Sequence, residues 1–200
     1  MRKYEFTGER KKWRNRTLLR IVALRDFGDV KTGEVGGWIE HESNLSHKCE
    51  CWVYDNGKVY DNGKVCDNGL VYDNGLVCGN GKVCNYGIIN DNGKVYGNGK
   101  VCGNGIVTGN GIVETGIIIG KVSRPYKDIF QHQCQKRVLT AILTEDNEIL
   151  YTIGCQVNIT KEEFIDRIYN EDGGLEKNPH RREYLAIIKC IELYFNENIK

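Results

Sequence analysis

V-Y-D-N-G-K-V-Y-D-N-G-K-V-C-D-N-G-L, Val53 to Leu70, repeats one six-residue phrase three times, and the phrase runs on to Ile119. Valine or isoleucine occupies every sixth position from Val53 to Ile119, with Ile89 and Ile119 standing among valines. Glycine follows four places later, unbroken from Gly57 to Gly111, and asparagine three places later except where Tyr86 intrudes. Six is not a multiple of 3.6, so a helix would scatter these aliphatic residues around its surface. A short strand with one inward residue, followed by a three-residue corner, keeps them in register. The Asn-Gly pairs are expected to supply the positive φ that a sharp corner needs.

Outside the repeat the chain changes character twice. Residues 1–46 form a lead-in, 47–122 the repeat and 123–200 a separate α+β module. In the lead-in, Trp38, Ile39 and Leu45 are expected to cover the open end of the valine column, which would otherwise be a bare sheet edge. In the module, two apolar runs between Arg137 and Cys155 flank Glu145-Asp146-Asn147-Glu148, a hairpin signature. Thr160 with Glu163 forms a capping box that opens a helix reaching about Tyr169, and Asn178-Pro179 starts a second helix reaching about Phe195.

Composition narrows the function classes. The 200 residues carry 28 basic and 27 acidic side chains, so no global field draws nucleic acid or anionic lipid, and neither is expected as a partner. The opening MRKYEFTGERKKWRNR is basic without an apolar segment, and no run of ~18 apolar residues occurs, so neither a signal peptide nor a membrane span is expected. A cytoplasmic location follows as the expectation. Nine cysteines then read as reduced thiols and not as a disulfide framework.

The hexapeptide pattern resembles the left-handed parallel β-helix of the hexapeptide-repeat proteins, in which three units close one triangular coil of eighteen residues. That resemblance, covering residues 53–119, implies a mainly β fold: a left-handed parallel β-helix of about four coils, with an N-terminal cap and a small C-terminal α+β module. Residues 17–46, ending in Glu42-Ser43-Asn44-Leu45-Ser46, resemble the lead-in of an uncharacterised phage and prophage group of these proteins. The tail, with Gly-Cys after the second strand, T-x-x-E-F and E-Y-L, resembles that group too. If the chain is phage-encoded, the compartment is the bacterial host cytoplasm.

Stacking positions eighteen apart gives three outward columns. The first holds Trp52, Tyr54, Leu70, Tyr72, Ile88 and Ile106, a surface apolar enough to need a cover, from the C-terminal module or from a second or third subunit in a homodimer or trimer. The second mixes Lys58, Tyr60, Leu76, Cys78, Lys94, Tyr96, Ile112 and Glu114 and shows no convergence. The third stacks Lys64, Lys82 and Lys100 beside Cys66, Cys84 and Cys102, a candidate anion or partner strip with rungs ~4.8 Å apart, whose lysines are expected to depress the thiol pKa values. The bland alternative is that the lysines guard a sheet face and the cysteines fill it.

Asp55, Asp73 and Asp91 should stack at one corner, where Asx turns account for them without calcium. His132, Cys134, Cys155 and His180 are suitable zinc ligands at spacings that match no finger signature. No catalytic residue, resident metal or cofactor is therefore expected. The repeat contains no histidine, whereas the acyltransferases of the resembled family use one as general base. The leading expectation is a non-catalytic interaction protein, a phage or mobile-element accessory that sequesters a host protein or a small anionic ligand. The alternatives are an acyltransferase-like enzyme and a structural assembly protein.

Overall fold

A computed structural model describes residues 2–114, 116–124, 126, 128–134, 137–144, 146–153, 156–170 and 179–198. The chain is mainly β and divides into two compact units, Met1–Arg124 and Pro125–Lys200.

The first unit is a parallel β-solenoid. Each hexapeptide contributes a two-residue strand, and strands eighteen residues apart pair in parallel: Trp52-Val53 with Leu70-Val71, Lys58-Val59 with Leu76-Val77, Lys64-Val65 with Lys82-Val83. Three sheets result, and the one that begins at Trp52 contains five strands. Every valine from Val53 to Val113 is buried, and so is Ile89. The flanking backbone is satisfied coil to coil: Lys58 N–H donates to the Gly75 carbonyl at 2.9 Å, and Tyr60 N–H to that of Val77 at 3.0 Å.

The corners differ from the sequence expectation. Positive φ falls two places before the repeat glycine, on Asp55, Asp61, Asp67, Asp73, Asn85 and Asp91 (φ 47 to 57°), and on glycine at the same slot elsewhere. Asp, Asn and Gly are the residues that bear this conformation at least cost. The invariant glycine two places later has another reason to exist. A Cβ on Gly81 would lie 2.7 Å from the Val95 carbonyl oxygen, and one on Gly99 would lie 2.5 Å from that of Val113. Close coil stacking, not backbone conformation, demands it.

Both ends of the solenoid also depart from expectation. Ile39 and Leu45 do not lie over the column as a lid; they are its first members, pairing with Val59 and Val65. Trp38 points outward on the flank, against Leu18, Tyr60 and Leu76. At the far end the sixfold spacing contracts. Ile118, not Ile119, fills the core, and Val122 follows it, because the strands Ile117–Ile118 and Lys121–Val122 come early.

The lead-in forms strands β1 (Tyr4–Trp13), β2 (Arg16–Ala23) and β3 (Val35–Ile39), which extend the sheet of Lys58. β1 and β2 make an antiparallel hairpin. It is fastened at two places: Tyr4 Oη donates to the carbonyls of Glu42 and Leu45 at 3.0 and 2.9 Å, and Arg16 pairs with Glu40 and Asp61.

The second unit contains a four-stranded antiparallel sheet, Asp128–Cys134, Arg137–Leu143, Ile149–Ile153 and Gln156–Ile159, followed by helices α1 (Lys161–Asn170) and α2 (Pro179–Asn198). The hairpin and both helices follow the sequence reading, whereas the two outer strands lacked a clean alternating pattern. The capping box is present in both directions, Thr160 N–H to Glu163 Oε2 at 2.8 Å and Glu163 N–H to Thr160 Oγ1 at 3.2 Å. Leu139, Tyr151, Phe164, Ile191 and Phe195 are among its core.

The two glycine-permissive slots should respond oppositely to substitution. Gly81→Ala, which must push a main-chain carbonyl, should cost ~2 kcal/mol by urea unfolding, while Gly103→Asn, with open space around its Cα and a residue type found at the sister slot Asn85, should stay within ~1 kcal/mol.

Candidate functional site: a cationic groove on the solenoid flank

The hairpin tip decides where the site forms. Because β3 joins the sheet of Lys58, the β1–β2 hairpin continues that sheet, and its tip at Trp13 and Arg14 borders the second column. Between tip and coils lies a groove of about 700 Å³. Its wall is Lys11, Trp13 and Arg14; its floor is Lys58, Leu76 and Lys94; its rim is the exposed corner asparagines Asn56, Asn74, Asn92 and Asn110.

The electrostatics of this groove are one-sided. Four cations line it, and no carboxylate or histidine is among its lining residues. Lys58 is the unusual one, only 5% exposed, with Nζ donating to the Asn56 carbonyl at 2.8 Å and lying 4.6 Å from the Trp13 ring centre. Burial, and secondarily the charge of Lys11, hold its pKa below the ordinary lysine value. A mobile anion entering here would relieve both costs.

The column that showed no convergence in sequence is thus the one the fold completes. The missing signal was the hairpin: the basic KKWRNR segment turns at Arg14-Asn15, and nothing in sequence fixed the column that turn would reach.

The Lys/Cys strip is assembled in register, Lys64 beside Lys82 and Lys82 beside Lys100. Its thiols behave contrary to expectation. Burial raises the Cys66 pKa to about 11, and the Lys82 charge offsets only part of that; Cys84 is also raised, again chiefly by burial. Asp67 adds a carboxylate to this face and accepts from the Cys66 thiol at 3.7 Å.

In the first column Trp52 is fully buried, and its cover comes from the lead-in, with Phe27 edge-on at 5.3 Å and Tyr4 at 6.1 Å. Tyr54 and Tyr72 stack at 4.5 Å, and Leu70, Ile88 and Ile106 are half-buried.

At the corners, Asp73 accepts the Asp91 N–H at 3.2 Å and Asp91 the Gly109 N–H at 3.0 Å, so these carboxylates bind the backbone of the following coil. Among the described residues no group of three or more His, Cys, Asp or Glu is arranged to hold a metal ion. Cys155 and the side chains of Cys134 and His180 lie outside the described residues.

His47 is engaged at both ring nitrogens, accepting the Lys3 N–H at Nδ1 (3.1 Å) and facing Glu42 from Nε2 (2.8 Å), which leaves it no free lone pair for base catalysis. Among the described residues no helix is long and apolar enough to cross a membrane.

Thiol chemistry checks the electrostatic account. Exposed Cys49 should react with a disulfide reagent well before Cys66 at pH 8, and the Cys66 rate should keep climbing beyond pH 10 as its thiolate forms, with no plateau near pH 9. Peptide-resolved alkylation across pH measures both.

No protein-family model matches the chain. One curated relative, an uncharacterised acetyltransferase YdcK of Escherichia coli (strain K12), is 36% identical over 67 residues, covering 30% of this chain. The chain spans about a fifth (21%) of that relative's length. Parallel solenoid, six-residue period and an acetyltransferase relative together fit a hexapeptide-repeat β-helix protein.

Proposed function

We propose that the chain is an acyltransferase-type hexapeptide protein that holds the phosphate-bearing part of an acyl carrier, such as acetyl-coenzyme A, in the groove over Lys58 and Lys94. The observation that carries this reading is the groove itself: four cations converge there with no carboxylate among them, beside an indole and a leucine able to meet an apolar or planar portion of the same ligand. The acetyltransferase relative supports the catalytic alternative over a purely sequestering role.

The groove binds and orients. It has no histidine or carboxylate to take a proton from the acyl acceptor, so an acceptor that arrives as a free amine, or a base contributed from outside the groove, completes the reaction. The Lys64–Lys82–Lys100 strip is the natural comparison, a second stack of lysines but one carrying Asp67.

Calorimetry with acetyl-coenzyme A at low salt should show binding that weakens steeply with ionic strength. Lys58→Glu with Lys94→Glu should weaken it at least ~10-fold, about 1.4 kcal/mol. The triple change Lys64→Glu, Lys82→Glu and Lys100→Glu should alter it less than ~2-fold. Loss in the triple variant alone would move the site to the strip, and no binding by the wild type would end the reading.

A further inference from the structure

Lys3 is the most unusual charged residue outside the groove. It is completely buried, yet among the described residues no carboxylate pairs with it. Its Nζ meets the Cys51 carbonyl at 2.7 Å, the Cys49 carbonyl at 3.5 Å and the Cys51 Sγ at 3.2 Å, and it lies 4.8 Å from the Phe27 ring centre. Cys51 is also fully buried, and its thiol is turned toward the carbonyls of Ser46 and Lys48 as well. An ammonium without an anion is costly in such a place, so burial lowers the lysine pKa, and the same burial raises that of the thiol. Lys3 Nζ and Cys51 Sγ are thus held in contact at 3.2 Å, away from water.

From this contact we infer that Lys3 and Cys51 form an oxidative modification site, in which dioxygen joins them through a covalent N–O–S bridge. One thiol, one amine and one dioxygen give Cys51–S–O–NH–Lys3 and one water. The S–H, one N–H and the O–O bond break, S–O and O–N bonds form, and the two hydrogens leave in the water. Sulfur and nitrogen each give up two electrons, and dioxygen accepts all four.

The surroundings favour this product over the usual ones. Overoxidation proceeds through an exposed thiolate, which Cys51 is not. The nearest chain thiol by sequence, Cys49, is exposed on the surface while Cys51 is fully buried. The bridge would link residues 48 apart and so lock the N-terminal strand to the start of the first coil, making the end of the solenoid sensitive to oxidant.

Mass spectrometry of the full-length protein after exposure to air or dilute peroxide, followed by alkylation and digestion, decides the matter. The expected result is a cross-linked peptide pair containing Lys3 and Cys51 at about 14 Da above the sum of the unmodified pair, lost on treatment with dithiothreitol. The oxidised protein should melt ~5 °C higher than the reduced one. Lys3→Met and Cys51→Ser should abolish the species, and Cys49→Ser should keep it. A Cys49–Cys51 disulfide, a sulfinic Cys51 with Lys3 unmodified, or no change in the wild-type digest would each overturn the inference, whether or not the variants fold.

Discussion

The solenoid rests on how closely one coil can approach the next. A valine carbonyl of one coil comes so near the glycine of the coil before it that a single methyl group would occupy the same space. That approach sets the spacing at which coil-to-coil hydrogen bonds close and at which the valines touch along the axis. Four corner aspartates, Asp61, Asp67, Asp73 and Asp91, then act as a second fastener, their carboxylates accepting an N–H from the following coil, so that a corner in strained conformation is held from outside as well as within.

Such regularity explains why the architecture was legible in the sequence. Val53 to Val113 announced the core, the resemblance to the hexapeptide-repeat proteins implied the eighteen-residue pairing, and Thr160 with Glu163 announced the capping box. What failed was local. The Asn-Gly pair looked like the seat of positive φ because both residues tolerate it, but a preference for a conformation does not say which of three corner residues adopts it. Ile119 kept the period on paper while the chain shortened its last corners to seat Ile118.

The site was less legible than the fold, for a physical reason. Lys58 and Lys94 are unremarkable within the repeat; they become a site only when Lys11, Trp13 and Arg14 arrive beside them from a hairpin some forty residues earlier in the chain. The Lys/Cys column, by contrast, was visible because it lies within the repeat, and its assumed thiol chemistry failed because burial outweighed the neighbouring charge. Periodicity reports what is regular, and a binding groove is where regularity is interrupted.

Three columns and one phase also constrain how such a chain can diversify. Gaining a single hexapeptide would turn every later face by a third of a revolution, sending Lys94 away from Lys58 and setting a different column beneath the hairpin. Only insertions or losses of three hexapeptides at a time preserve the groove. Its length can therefore change in whole coils alone, and a lineage that adjusted its ligand by lengthening this surface would do so in steps of eighteen residues.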